Sequence, residues 1–185
     1  MIARSAGIAA ACLFAAITMA NAEPFQISST SFKDGQLLDK KHAGNLPNNP
    51  NCVGTNTSPQ LSWTNVPEGT RSFAIMMVDP EGRAPAGVVH WIAYGIPANV
   101  TSFAEGALGQ PSNLYVGGKS TLNAGHYIGP CTPKGIGFHH YTFLLMATDL
   151  EPGALQPGMT REELIPALAG KVKGSTAIVG LFGQP

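Results

Sequence analysis

Short apolar runs, each closed by proline or glycine, are the feature that most constrains the fold of this chain. The sequence has 22 glycines and 15 prolines spread along its length, which suits many short strands joined by turns. Pro80 closes one apolar run and Pro97 closes the next. Six segments have strand character: 25–32, 58–63, 71–80, 87–97, 139–150 and 174–183. We therefore expect a mainly β protein, an antiparallel β-sandwich with Greek-key-like connections and one or two short helices.

Only one segment has a convincing helix pattern. Thr160 stands where an N-cap is expected, and Glu163 follows three residues later, as in a capping box. Gly170 marks the end of the helix. Pro166 lies inside it and removes a backbone hydrogen bond, so the sequence predicts a kinked or two-piece helix.

Residues 1–22 have the pattern of a secretory signal peptide. Arg4 precedes an apolar run that ends in Ala-Asn-Ala, which predicts cleavage after Ala22. A membrane anchor is the alternative, but the run is near the lower length limit for a spanning helix and no basic cluster follows it. Cys12 raises the question of a lipoprotein signal, which the continuation of the apolar run beyond it disfavours. We expect residues 23–185 to form a single mature domain.

The charge balance argues against nucleic acid as a partner. The chain has 11 Lys and Arg residues and 11 Asp and Glu residues, without the basic excess that marks a nucleic-acid-binding surface. No second apolar run approaches the length of a membrane-spanning helix. We expect an exported protein, periplasmic or secreted, without a transmembrane segment, that acts as a monomer or a homodimer.

Two cysteines remain beyond the leader, Cys52 and Cys131. Both lie in segments rich in Pro, Gly and Asn, and an even count in an oxidising compartment predicts a disulfide bond. Two separate buried thiols are the alternative. A bridge would close a long loop, which the chain-entropy model converts to about 4 kcal/mol of stability.

The strongest predicted strand begins with two adjacent histidines, whose side chains must point to opposite faces. His139 and Tyr141 share one face, and His140 lies on the other. Asp79 follows the run FAIMMV, and His90 lies within VVHWIAY. Buried polar groups need partners, so both are candidate site residues. The alternatives are a strand-ending turn at Asp79 and a core histidine bound to a backbone carbonyl at His90.

Three segments together carry a family resemblance. They read NCVGTNTSPQLSWTNVPEGTRSFAIMMVDPEG, HWIAYGIP and GPCTPKGIGFHHYTFLLMATDL. On these segments the chain resembles the bacterial phosphatidylethanolamine-binding proteins, also called Raf kinase inhibitor-like proteins, over essentially all of residues 23–185. The resemblance implies a β-sandwich with a small anion pocket at one end. The ligand-binding residues that it implies are Asp79, Pro80, His90, Pro133, Gly137, His139 and Tyr141.

Two places depart from the family pattern. The segment after Val78 reads DPEGRAP, with Arg83 where the family has proline and with Pro85 shifted by two residues. Arg83 either adds a charge-assisted contact to an anion or is a solvated loop cation. His140 replaces an arginine that matters for loop packing in the family, so we expect a different ion pair there.

The resulting expectation is an exported protein that binds a phosphate-containing small molecule or lipid headgroup. We expect no cofactor and no catalytic residues, with regulation or inhibition of a protein partner as a further possibility. The histidines and Tyr141 would donate hydrogen bonds to phosphate oxygens, while Asp79 would hold one histidine in its tautomer. Affinity should then fall as the pH rises. Kinase inhibition belongs to eukaryotic relatives and is not carried over, because an exported protein meets no cytosolic kinase.

Two enzymatic or metal-dependent alternatives stay open from the sequence. Asp79, His90 and His139 together form a two-histidine, one-carboxylate set that suits a metal-binding protein or a hydrolase. Nucleophilic hydrolysis would need a free thiol at Cys131 near a histidine. No Gly-x-Ser-x-Gly sequence is present.

Overall fold

The computed structural model describes residues 23–185, so the predicted leader lies outside the described residues. Within this range the chain forms nine strands, a short 3₁₀ helix (Lys40–His42) and one α-helix. The strands are β1 (Gln26–Ser28), β2 (Gln36–Leu37), β3 (Leu61–Thr64), β4 (Ser72–Asp79), β5 (Val88–Pro97), β6 (Ser102–Phe103), β7 (Val116–Gly117), β8 (His139–Thr148) and β9 (Val172–Phe182); the helix is α1 (Arg161–Ala167). None of the helices in this range is both long and apolar enough to cross a bilayer.

The strands form two sheets, as the sequence predicts. The larger has the order β2-β9-β8-β4-β5-β7, and the smaller has the order β1-β3-β6. All pairs are antiparallel except β2 with β9, which run parallel at the edge of the larger sheet. The fold is therefore mainly β and largely antiparallel, with one parallel edge pair that the sequence did not predict.

The main core lies between the two sheets. Phe73, Ile75 and Met77 alternate along β4 and pack in one buried cluster with Leu61 and Trp63 of the smaller sheet. Burying these large side chains stabilises the sandwich by roughly 2 kcal/mol each in transfer terms.

A second, smaller core covers the outer face of the larger sheet. Ala74 and Met76 belong to this cluster, together with Leu164 and Leu168 at the helix. The central strands are thus buried on both faces, which explains why β4 reads as a nearly continuous apolar run rather than a strict alternation.

The helix is shorter than predicted and is a single piece. It covers seven residues and ends at Ala167, one residue after Pro166. Pro166 removes one backbone donor from its last turn. The expected N-terminal contact is present, since the backbone N–H of Thr160 donates to Glu163 Oε2 at 2.9 Å.

Three strands meet at one end of the larger sheet. Asp79, the last residue of β4, pairs with Val88, the first residue of β5. Val78 pairs with Thr142, so the beginning of β8 lies at this same end. Residues that are far apart in the chain are thereby brought together at a single sheet edge.

The predicted disulfide bond is present. Cys52 and Cys131 are joined across a separation of 79 residues. The bond ties the loop before β3 to the loop before β8, at the end of the sandwich where Asp79 lies. Because Cys131 is bridged, the alternative of a nucleophilic thiol at this position is wrong.

Candidate functional site

A cavity of about 210 Å³ opens at this end of the sandwich. Five of the seven predicted ligand-binding residues line it: Asp79, His90, Pro133, His139 and Tyr141. The remaining lining residues come mostly from loops: Leu46, Asn49, Gly82, Arg83, Val88, Leu122, Cys131 and Thr132. Four polar or ionisable side chains from three strands therefore surround one small space.

A carboxylate and a histidine form the most buried ion pair of the cavity. His139 Nδ1 lies 2.8 Å from Asp79 Oδ2, and both side chains are nearly inaccessible to solvent. Because an ionised carboxylate only accepts hydrogen bonds, His139 Nδ1 must carry the proton. Nε2 is then the ring nitrogen left for a ligand.

The other oxygen of Asp79 is held by the turn that follows β4. Its Oδ1 accepts hydrogen bonds from the backbone N–H groups of Glu81 at 3.0 Å and Gly82 at 2.9 Å. A Cβ atom at residue 82 would lie 2.9 Å from Asp79 Oδ2 and 2.8 Å from Val88. Glycine is thus needed here so that the turn can approach the carboxylate closely.

His90 is buried in the cavity wall and uses one nitrogen internally. Its Nδ1 lies 3.0 Å from the carbonyl oxygen of Ile128, so Nδ1 donates. Burial lowers the pKa of His90, and this effect outweighs the opposing effects of the Ile128 carbonyl and Asp79. The neutral ring presents Nε2 as a hydrogen-bond acceptor.

Tyr141 and Thr132 form a hydroxyl pair at the bottom of the cavity. Their oxygens lie 2.7 Å apart, and the ring of Tyr141 packs edge-on against His90 with centroids 5.2 Å apart. Burial raises the pKa of Tyr141 well above its usual value, so the phenol stays neutral. Thr132 Oγ1 also lies 3.4 Å from the carbonyl oxygen of Phe182, a second acceptor for its hydroxyl hydrogen. When Thr132 donates to Tyr141 instead, the hydroxyl hydrogen of Tyr141 is free to donate.

A second carboxylate–histidine pair lies on the outer side of the same strand. His140 Nδ1 lies 2.6 Å from Glu81 Oε1, and the backbone N–H of His140 donates to Glu81 Oε2 at 3.2 Å. Both side chains are exposed. Glu81 is therefore the partner of the histidine that replaces the family's arginine.

The structure places the remaining predicted residues outside the cavity lining. Pro80 and Gly137 are exposed, and neither contributes to the wall. Arg83 does line the cavity, on an exposed loop. Pro85 lies further along the same loop and is exposed.

The cavity lining also includes residues that the sequence motifs did not indicate. Thr132, Leu46, Asn49 and Leu122 line it without any sequence signal of their own. Cys131, which also lines the cavity, did have a sequence signal, because it was predicted to form the disulfide bond. A search centred on residues next to predicted bridges would have found Thr132.

The metal-ligand set found in the described residues differs from the one the sequence suggested. Donor atoms of Asp79, Glu81 and His139 lie within 4.8 Å of one another, and His90 is not part of this group. Asp79 is already bonded to His139, and Glu81 is bonded to His140. A metal ion bound there would have to replace at least one of these contacts.

Comparison with known proteins identifies the family. The sequence profile of the phosphatidylethanolamine-binding protein family matches residues 28–183. The chain therefore belongs to this family, as its sequence motifs indicated.

Bacterial relatives and a solved structure agree with this assignment. A UPF0098 protein of Aquifex aeolicus is 34% identical over 160 residues, covering 85% of this chain and 87% of that protein. A Mycobacterium tuberculosis protein named "Putative lipoprotein LppC" is 36% identical over 167 residues, covering 87% of this chain and 73% of that protein. The crystal structure of Escherichia coli YbcL, described as a member of the mammalian PEBP family, superposes with a TM-score of 0.78 at 30% identity, covering 88% of this chain and 100% of that chain.

Proposed function

We propose that the chain binds a phosphate-bearing small molecule or lipid headgroup in the cavity at the end of the sandwich. The observation that carries the proposal is the convergence of Asp79, His90, His139 and Tyr141 on a space of about 210 Å³. The space suits a group of few atoms, and its polar atoms are fixed by partners of their own. The ligand chemistry follows from what each of these atoms can donate or accept.

His139 is the group that recognises the anion. With a second proton on Nε2, the ring donates to a phosphate oxygen while Asp79 balances its positive charge from the other side. Asp79 itself does not touch the anion, since two negative charges would repel. Its role is to fix the tautomer and orientation of His139.

His90 places a second requirement on the ligand, which must supply a hydrogen-bond donor. Its Nδ1 proton is used on Ile128, and burial keeps the ring neutral by lowering its pKa. The expectation that both imidazoles donate to phosphate therefore changes, because His90 Nε2 accepts. A ligand that carries an N–H or O–H donor next to its phosphate, as phosphoethanolamine does, satisfies both histidines at once.

The hydroxyl pair adds one more donor. Tyr141 and Thr132 share a hydrogen bond. With Thr132 as its donor, rather than as a donor to the Phe182 carbonyl oxygen, the hydroxyl hydrogen of Tyr141 is left for a phosphate oxygen. Because the pKa of Tyr141 is raised by burial, this donor persists across the physiological pH range.

Calorimetric titration with phosphoethanolamine at pH 6 and pH 8 tests the proposal. Binding should be tighter at pH 6, because histidine side chains gain positive charge as the pH falls through this range. Equal affinities at the two pH values, or no heat at either, would contradict it. The His139→Ala variant should bind at least about tenfold more weakly, the loss expected for one charge-assisted hydrogen bond, whereas His140→Ala should bind like the unmodified protein.

A pair of monoesters without hydroxyl groups on the carbon chain tests the role assigned to His90. Phosphoethanolamine has an ammonium donor and phosphocholine has a quaternary nitrogen without N–H, while the phosphate and the two-carbon chain of the two molecules are the same. We expect the former to bind about tenfold more tightly, because His90 Nε2 then has a partner. Equal affinities would contradict the role of His90 in ligand recognition and would leave the role of His139 unchanged.

The second candidate is metal binding by Asp79, Glu81 and His139, whose donor atoms lie within 4.8 Å of one another. Elemental analysis of protein purified without a histidine tag separates the two proposals. A stoichiometric transition metal that is lost in Glu81→Ala would favour the metal site. Absence of metal together with phosphoethanolamine binding supports the anion site.

We also infer that the protein is exported. The Cys52–Cys131 bond supports this, since structural disulfides persist in oxidising compartments. The LppC relative, whose name includes the word lipoprotein, supports it further. Mass spectrometry of the protein from its native host should find a mature chain that begins at Glu23; an intact leader would contradict the inference.

A further inference from the structure

A groove of about 340 Å³ lies on the other side of two segments that form the cavity wall. In β5, Val88 lines the cavity and Val89 lines the groove, because consecutive strand residues point to opposite faces. In the loop that follows β7, Leu122 lines the cavity, whereas Thr121 and Asn123 line the groove. The two spaces share no lining residue, so the groove is a separate candidate site.

The loop that forms one side of the groove is attached to two neighbouring segments. The backbone N–H of Lys119 donates to the carbonyl oxygen of Met159 at 2.9 Å, and that of Thr121 donates to the carbonyl oxygen of Val89 at 3.1 Å. Val89 in return donates its N–H to Thr121 Oγ1 at 2.9 Å. The loop is therefore fixed against β5 and against the segment before α1 by contacts within the protein.

Ser120 contributes a buried hydroxyl group whose hydrogen has no acceptor. The residue is 3% exposed and lines the groove. Its Oγ accepts the backbone N–H groups of Leu122 at 3.3 Å and Ala124 at 3.2 Å, which uses both acceptor positions of the oxygen. Within residues 23–185 the hydroxyl hydrogen then has no partner. Because buried donors are nearly always paired, this hydrogen indicates an acceptor that comes from outside the chain.

Three further donors line the same groove. Thr121 Oγ1 accepts a backbone N–H, and its hydroxyl hydrogen also lacks an acceptor within residues 23–185. Lys119 is exposed and belongs to none of the ion pairs that these residues form. Arg161 donates from Nε to Glu162 at 3.1 Å and from Nη2 to the carbonyl oxygen of Ala86 at 3.4 Å, which leaves Nη1. Donors and positive charge are thus in excess, since Glu162 is the one acidic residue in the described lining.

We propose that this space, here called the anion groove, is a second binding site and that it takes a small tetrahedral oxyanion, either sulfate or a phosphate group. Lys119 and Arg161 supply the positive charge, and the hydroxyl groups of Ser120 and Thr121 donate to the anion oxygens. The donors lie on the loop on one side and on Arg161 on the other, and a tetrahedral anion has oxygens directed to both sides. The site goes beyond the proposed function, because none of these residues lines the cavity.

Backbone amide NMR during titration with sodium sulfate tests the anion groove, with the ionic strength held constant by sodium chloride. The amide signals of Thr121, Asn123 and Arg161 should shift and reach saturation. In Lys119→Ala the Kd for sulfate should rise about fivefold, because one cation is lost. The control Lys171→Ala removes another exposed cation that lies outside the groove, and it should bind sulfate like the unmodified protein.

The His139→Ala variant separates the groove from the cavity, which also binds an anion in the proposed function. Its Kd for sulfate, measured at Thr121 and Asn123, should stay within about twofold of the unmodified value. Shifts that vanish in His139→Ala and persist in Lys119→Ala would come from an anion in the cavity. That result, or the lack of any saturable shift, would overturn the anion groove and leave the proposed function standing. Sulfate binding in the groove of a protein that ignores phosphoethanolamine would overturn the proposed function alone.

The Ser120→Ala variant tests the buried hydroxyl group. Its affinity for sulfate should fall about fivefold or more, because one hydrogen bond to a charged group is lost. Ser120 also holds the loop through Leu122 and Ala124, so a weaker affinity in this variant counts only if Lys119→Ala, which removes an exposed side chain, shows a loss as well. Unchanged affinity in both variants would overturn the proposal.

Two further probes identify the form of the anion, and both are added to His139→Ala so that the cavity contributes little. Acetate should bind at least about fivefold more weakly than sulfate, because a planar carboxylate cannot meet donors on both sides of the groove. Equal affinities would overturn the choice of a tetrahedral anion. Glycerol 3-phosphate that binds more tightly than sulfate would support an organic phosphate as the occupant, whereas equal binding of the two would support a free ion.

Discussion

Strand β8 begins with two carboxylate–histidine pairs that differ in little except their surroundings. His139 meets Asp79 at 2.8 Å inside the cavity, and His140 meets Glu81 at 2.6 Å on the outer surface. The histidines are consecutive in sequence, and the acids are two residues apart. Strand geometry sends one pair inward and the other outward.

The environment of a pair, and not its residue types, decides what the pair can do. Desolvation raises the pKa of Glu81. The hydrogen bonds from the ring and the backbone of His140 lower this pKa, and their combined effect is larger, so the pKa is lowered overall. That pair is exposed, so water competes with it for the same hydrogen bonds. In the inner pair His139 has its Nδ1 fixed by Asp79, and its side chain lines the cavity. Of the two pairs, only the inner one lies where we propose that the ligand binds.

Removing the disulfide bond should have the largest effect on stability, and of the two pairs it should disturb only the inner one. The bond ties together the two loops that provide Cys131 and part of the cavity wall, and it closes a loop of 79 residues. The Cys52→Ala/Cys131→Ala variant should lose about 4 kcal/mol in free energy of unfolding, by the chain-entropy argument. Urea unfolding measures the loss, and phosphoethanolamine binding should weaken as well. Unchanged binding would show that the loops hold their positions without the bond.

Removing the acid from each pair in turn should give unequal losses of stability. Asp79→Ala leaves His139 and the N–H groups of Glu81 and Gly82 without their acceptor in a buried place, which should cost about 3 kcal/mol. Glu81→Ala breaks an exposed pair and should cost less than about 1 kcal/mol. Urea unfolding at neutral pH compares them. Equal losses would mean that the inner pair is as well solvated as the outer pair.

His90 should make stability depend on pH in a predictable direction. Its pKa is lowered by burial in the folded chain, so the unfolded chain binds the proton more readily. The stabilising contribution is therefore complete above the unfolded pKa of about 6.5 and is lost as the pH falls below it. The His90→Asn variant should remove about 1 kcal/mol of the loss between pH 6.5 and pH 5.

His126, whose pKa is also lowered by burial, provides the control for this pH dependence of stability. His126 lies outside the cavity lining and is less buried than His90. The substitution His126→Asn should therefore change the pH dependence of stability less than His90→Asn does. A pH dependence that is the same in His90→Asn and in the unmodified protein would contradict the assignment.

Much of the site could be predicted because it depends on strand parity. The alternation along β8 correctly separated His139 and Tyr141 from His140, and the position of Asp79 after an apolar run correctly marked a strand end. The family motifs supplied the association of these residues with His90. The disulfide followed from the cysteine count and the expected compartment.

The rest of the site depends on loops, for which the sequence has no periodic signal. Leu46, Asn49 and Leu122 reach the cavity through turns whose paths are set by tertiary contacts. The parallel pairing of β2 with β9 involves only two residues of β2, too few for a hydrophobic pattern to appear. Gly137 was expected at the cavity, but it lies outside the lining and has a positive φ angle that the loop before β8 requires.

Nitrogen-15 NMR of the imidazole rings, recorded while phosphoethanolamine is added at pH 6, shows whether the ligand meets His139 and not His140. The protein has five histidines, and the His139→Ala and His140→Ala variants assign the two signals of interest. The Nε2 signal of His139 should move toward the imidazolium value as ligand binds, while the signals of His140 should stay where they are. Movement at His140 without movement at His139, or no movement at either ring, would contradict it.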